Sequence, residues 1–167
     1  MTTQSGNFFD KESAAIWDMV DSHSEAELRV PIRDDGWTAF KILSHMAISS
    51  RGLLSLAKAQ YRARQAGQEF SGAGPEFNIH RWNEEQVETW ADYSLERVRA
   101  EWAETGRQFH AFSSSLGAED LEQPARFADG TPMTLGELLG VITFHLRTHR
   151  QELTRGLAGE LVKPIEH

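Results

Sequence analysis

Residues 134–155 read TLGELLGVITFHLRTHRQELTR, and their spacing decides the fold class. Leu135, Leu138, Leu139, Ile142, His145, His149 and Leu153 recur at intervals that keep them on one face of a helix. Thr134 stands where an N-cap belongs, and Glu137 three residues later completes a capping box. Gly156, just past Arg155, is placed to end the helix. Three further segments carry the same period. The first runs from about Phe8 to Ser24, with Phe9, Ile16, Met19, Val20 and His23 near helical spacing. The second follows the loop Val30–Trp37, takes Thr38 as its N-cap and reaches about Arg64, with Leu43, Met46, Ala47, Leu53, Leu54 and Ala57 as its apolar face.

The third reads as the longest, from about Asn78 or His80 to Leu116. Val87, Trp90, Ser94, Val98, Trp102, Thr105, Phe109, Phe112 and Leu116 follow one another at steps of three and four, a heptad-like stripe of the kind bundle helices carry. Between the helices lie two long connections, around 65–78 and 117–133. Gly67 to Pro75 reads as a flexible link, and Gly117 to Pro132 as irregular chain with an Asp129-Gly130 turn. No segment shows a convincing strand pattern. The expectation is an all-α four-helix bundle in which not every neighbouring pair is joined by a tight hairpin. It forms one domain over residues 1–167, with a core of about 8–155 and a short tail of coil or helix fragment.

Composition agrees and excludes several function classes. The 167 residues are 40% apolar and 25% charged, enough for one sizeable core. There is no cysteine, so disulfide scaffolds, thiolate zinc sites, iron–sulfur clusters and cysteine nucleophiles are excluded. Seventeen basic against 25 acidic residues leave a formal charge of −8, a poor match to a phosphate backbone. The only basic cluster is short: Arg147, Arg150 and Arg155. No apolar run approaches a membrane span, and Met1 to Asn7 lacks the features of a signal peptide. The chain reads as cytoplasmic, with neither nucleic acid nor membrane as partner.

The histidines of the 134–155 segment continue its apolar stripe, so they point inward, and at i and i+4 they lie one above the other. Two imidazoles so placed can ligate one transition-metal ion at about 2.0–2.1 Å. They can equally be core residues satisfied by hydrogen bonds. The motif is not His-Glu-x-x-His, because Leu146 stands where a zincin protease has its catalytic glutamate. His45, among Ile42, Leu43, Met46 and Ala47, lies at or beside a buried face of the second helix. Should the second and fourth helices be neighbours, three imidazoles converge. Three protein ligands and an open position describe a catalytic or substrate-binding metal site rather than a closed structural one.

Gly36-Trp37-Thr38 with Lys41, Leu43 and His45 resembles the start of helix two in DinB-like proteins. Phe77-Asn78 resembles the opening of their long helix. Met133-Thr134-Leu135-Gly136-Glu137-Leu138-Leu139 followed by His145, His149 and Arg150 resembles their last bundle helix. The resemblance spans about residues 8–155. It implies a four-helix bundle of up-and-down type with a long crossover (DinB/YfiT-like) and a tendency to homodimerise. It also implies a divalent metal, nickel or zinc, on residues matching His45, His145 and His149. Related branches include transferases and isomerases that use the thiols mycothiol or bacillithiol. In the maleylpyruvate isomerase branch a ligand equivalent to His145 is glutamate, so that activity does not carry over directly. Gln151-Glu152 stands where many relatives have Gly-Gln, so contacts behind the ligands are expected to differ.

The leading reading is a divalent-metal-dependent enzyme, a thiol S-transferase or hydrolase on a His₃ site, with a low-molecular-weight thiol as a possible cosubstrate. Neutral ligands leave a divalent ion its full charge, which lowers the pKa of a bound water or thiol. No residue stands out as general base. The alternatives are a non-catalytic dimeric module that binds a metal or small molecule, and a metal-free bundle. Trp37, eight residues before His45, is a candidate pocket wall. Arg147 and Arg150 flank the histidines and either pair with glutamates or bind an anionic substrate or cofactor. His23 reads as a cap or surface residue, and His80 and His110 as surface or interface residues. Trp82, Trp90, Trp102, Phe109 and Phe112 read as core or dimer packing. Trp82, Trp90 and Trp102, spread over different angles, suggest more aromatic surface than one bundle face hides, hence a homodimer.

Overall fold

The computed structural model describes residues 4–70 and 77–165, with the side chains of Gln4 and Ser5 outside the description. Met1 to Thr3, part of the Gly67–Pro75 link and the last residues of the tail lie outside the described residues. In chain order the elements are α1 (Gln4–Val20), α2 (Glu25–Leu28), α3 (Ala39–Gln65), α4 (Ile79–Glu88), α5 (Leu95–Ser115), α6 (Ala118–Leu121), β1 (Pro124–Arg126), β2 (Pro132–Thr134) and α7 (Leu135–Leu157). The caps read from the sequence are in place. Thr38 accepts from the backbone of Lys41 at 3.1 Å. Thr134 accepts from Glu137 N–H at 3.1 Å while the Glu137 carboxylate accepts from Thr134 N–H at 2.7 Å.

The bundle consists of α1, α3, α5 and α7. Helix α7 packs against α3 and α1, and α5 packs against the same two, so α1 and α3 occupy opposite corners. Side-chain pairs give the directions. His45 meets His145 near one end of α3, and Gln60 holds Arg126, just before α7, near the other, so α3 and α7 are antiparallel. Arg51–Glu101 and Lys58–Gln108 run in step, so α3 and α5 are parallel. Glu12–Arg150 and Met19–Thr154 make α1 and α7 parallel. Phe9–Phe109 and Trp17–Trp102 make α1 and α5 antiparallel. The order is therefore up, down, down, up. Two consecutive parallel helices cannot be joined by a short turn, and residues 66–94, including α4, carry the chain back. Leu43, Met46, Phe109, Leu138, Leu139 and Ile142 fill the shared core, each at most 1% exposed.

The stripe of the third segment is not one helix. After α4 the backbone tightens through Thr89, Trp90 and Ala91 N–H groups donating three residues back, and α5 restarts at Ser94. Ser94 is an N-cap with extended φ/ψ, its Oγ accepting from Arg97 N–H at 3.2 Å. Trp90 is buried and stacked on Tyr93 with centroids 4.9 Å apart, which anchors the break. The Arg29 guanidinium donates to the exposed carbonyls of Ala91 and Tyr93 at 3.3 and 2.7 Å. Those two carbonyls would otherwise continue a ladder.

Three other features depart from the expectation. The stretch expected to be irregular holds a two-stranded antiparallel pair, β1 with β2, which ends at Thr134. The Gln60 amide from α3 pairs with both backbone groups of Arg126 at 2.8 and 2.7 Å, in the manner of a third strand. Gly156 does not end α7, whose C-cap is Ala158. It lies inside the helix, where a Cβ would stand 2.5 Å from the Ile32 side chain, so the absence of a side chain lets residues 30–37 lie against α7. Helix α1 also begins earlier and ends earlier than its apolar spacing suggests, stopping at Val20.

Candidate metal centre

His45 near the start of α3 and His145 and His149 in the middle of α7 meet where the two helices pack. His45 and His149 are 3% and 1% exposed, and His145 is half-buried. One ring nitrogen from each lies within 4.8 Å of the others, forming a potential metal-holding cluster. The ring centroids are 4.5–4.8 Å apart, and His45 Nε2 lies 2.9 Å from His145 Nε2. At a metal–nitrogen distance of about 2.05 Å, two tetrahedral ligand nitrogens stand roughly 3.3 Å apart. The three rings are thus already crowded to within a small adjustment of coordination.

The outer partners fit the same donor set. His45 Nδ1 contacts Ser49 Oγ at 3.3 Å, one turn further along α3. His149 Nδ1 contacts Glu152 Oε2 at 2.6 Å. A neutral imidazole carries one N–H, and placing it on Nδ1 leaves the Nε2 lone pair of each ring for a cation. The three donors are uncharged nitrogens, a set suited to zinc or nickel.

Behind this cluster sits the loop before α3. Arg33, 9% exposed, pairs with Glu152 Oε1 at 3.3 Å and donates through Nε to Asp35 Oδ1 at 3.0 Å. Its guanidinium lies 4.5 Å from the Trp37 ring centre, and Trp37 meets His45 edge to face at 5.7 Å. The backbone of the loop is tied to the chain after α7: Asp34 N–H donates to Val162 and Val162 N–H to Ile32, both at 3.0 Å.

A cavity of about 200 Å³ opens onto His45 and His149. Trp37, Asn83 and Ile165 help to wall it, with Glu84 and His80 from α4 at its edge. Its volume matches a small ligand or the end of a larger one. A larger cavity of about 390 Å³, between residues 23–32 and the end of α7, contains none of the three histidines.

Of the residues singled out in the sequence, Trp37 lines the cavity. Arg147 is exposed, and Arg150, half-buried, donates to the buried carboxylate of Glu12 at 2.6 Å. Neither arginine is among the residues lining the cavity. His23 accepts its expected capping role, its Nδ1 lying 3.0 Å from the Met19 carbonyl at the end of α1. His110 pairs with Asp10 at 2.7 Å, and exposed His80 reaches the cavity edge. Sequence reasoning did not single out Arg33, Ser49 or Asn83. Ser49, four residues after His45, and Glu152, three after His149, both sit at helical contact spacing, a signal available in the sequence. Arg33 offered no such signal, since its partner comes from the far end of the chain.

A family model of the DinB superfamily matches residues 9–153. Among solved structures, one titled "YfiT from Bacillus subtilis is a probable metal-dependent hydrolase with an unusual four-helix bundle topology" is similar to this chain. The TM-score is 0.69 at 18% identity, covering 92% of this chain and 83% of that one. At that identity the likeness establishes the fold. Comparison with curated proteins finds no match.

Proposed function

This chain belongs to the DinB superfamily, and from that premise we propose that it is a divalent-metal-dependent enzyme, a hydrolase or thiol S-transferase, with His45, His145 and His149 as ligands. The observation that carries the reading is the union of three converging imidazoles with a cavity that reaches two of them. A closed structural site would have no such opening. When bound, a zinc or nickel ion there would lower the pKa of a water or thiol and polarise a carbonyl. The chain's own residues hold the ligand rings, and Trp37 and Ile165 help to shape the small cavity. With no cysteine, a thiol nucleophile would have to arrive as a low-molecular-weight cosubstrate. Trp37 would pack against what binds. Arg147, exposed on α7, would steer an anionic partner, while Arg150 would do so only by leaving Glu12.

The same proposal places the protein in the cytoplasm. Among the described residues no helix is long and apolar enough to cross a membrane. It also makes the protein a homodimer. The support shifts from the tryptophans, of which Trp90 and Trp102 are buried within the chain, to Phe144 on α7, 70% exposed. Sedimentation as a single chain at micromolar concentration would remove the dimer. The test of function is elemental analysis of native protein, then a screen of hydrolysable and electrophilic substrates with and without small thiols. Turnover is expected to vanish on chelation and return with a divalent metal. Undiminished turnover after verified metal loss would overturn the reading.

A further inference from the structure

We infer that Glu152, backed by Arg33, is a positioning residue that fixes His149 as its Nδ1–H tautomer and so presents Nε2 to the space shared with His45 and His145. The metal half of this statement rests on the function proposed above; the tautomer half does not.

The argument begins with burial. The His149 and Glu152 side chains are each 1% exposed, and their contact is 2.6 Å. An ionised carboxylate can only accept, so the proton of that contact lies on Nδ1. A neutral ring has no second proton, which leaves Nε2 as an acceptor. Burying the carboxylate demands a counter-charge. Arg33 supplies it at 3.3 Å from the other oxygen, through a guanidinium that is itself held by Asp35 and by the face of Trp37.

Arg33 is fixed in turn by backbone. Its N–H donates to the Trp37 carbonyl at 3.1 Å, and the residues on either side exchange hydrogen bonds with Val162. A continuous path of hydrogen bonds and ion pairs therefore runs from the chain after α7, through the loop before α3, to one imidazole. An amide at position 152 could still accept from Nδ1–H, but it would leave Arg33 without its buried anion. The carboxylate is needed for the pair, and the acceptor is needed for the tautomer.

These two requirements separate by substitution. In metal-free, ¹⁵N-labelled protein, long-range ¹H–¹⁵N spectra are expected to show His149 protonated at Nδ1 in the wild type and in Glu152→Gln. In Glu152→Ala the ring should populate the Nε2–H form. Nickel titration followed by calorimetry should show affinity falling about 10–100-fold in Glu152→Ala, as for other lost partners of metal-binding histidines, and less in Glu152→Gln. If Glu152→Ala does not fold, the paired replacement Glu152→Met with Arg33→Met removes both charges at similar volume and should give the same tautomer change. Retention of the Nδ1–H tautomer in folded Glu152→Ala, or in the folded paired methionine variant, would overturn the inference. A wild type that binds neither nickel nor zinc would end the metal reading, yet the tautomer measurement would still decide this one.

Discussion

Helix α7 and the segment from Ile79 to Ser115 carry the same alternation of three and four between apolar positions, yet the first is one helix and the second is two. The spacing specifies a face, not continuity. In α7 the polar members of the stripe turn inward and find partners, His145 in His45 of α3 and His149 in Glu152 of its own helix. In the second segment the polar members are Ser94 and Thr105: Thr105 donates to the Glu101 carbonyl and stays within α5, whereas the Ser94 side chain competes for backbone N–H groups and starts a new helix instead of continuing the old one. The two segments differ in the same way in chemistry. The histidines of α7 are gathered by α3, while exposed His80 reaches only the cavity edge and His110 pairs with Asp10.

The sharpest way to break this comparison is at the metal centre. His145→Ala is expected to abolish stoichiometric nickel or zinc binding, whereas His110→Ala should leave it unchanged. Equal metal content in the two variants, measured on purified protein, would place the site elsewhere. The next largest effect falls on stability. Gly156→Ala puts a Cβ 2.5, 2.9 and 3.0 Å from three Ile32 side-chain atoms, so the loop must shift or the helix must move. A loss of about 1–3 kcal/mol is expected from such overpacking. Because Ile32 precedes Arg33, nickel affinity should fall as well; denaturant unfolding with the affinity unchanged would uncouple the loop from the site.

Smaller again is the cap that divides α4 from α5. Ser94→Ala should cost about 1 kcal/mol, comparable with Thr134→Ala at the start of α7. A much smaller cost at Ser94 would show that buried Trp90 alone sets the break. Smallest of all is Arg147→Ala, which removes an exposed side chain and should move stability by less than about 0.5 kcal/mol. A larger loss in thermal unfolding would mean that Arg147 is engaged in the folded protein.

What could be read from the sequence alone was set by short-range physics. The apolar period, the caps Thr38 and Thr134 with their N–H partners three residues on, and the facing of His145 over His149 all depend on neighbours within one or two turns. The same holds for His23 beside the carbonyl that ends α1. The departure at Gln151-Glu152 was visible as well, although not what it would touch. Only the tertiary structure decided the rest. The up, down, down, up order places α3 against α7, and that alone brings His45 to the other two rings. Gly156 looked like a helix end because glycine is common there, but a contact with Ile32 from the other end of the chain requires it. Arg33 was unreadable for the same reason: its partner Glu152 is near in space and distant along the chain, and a buried ion pair of that kind leaves no period in the sequence.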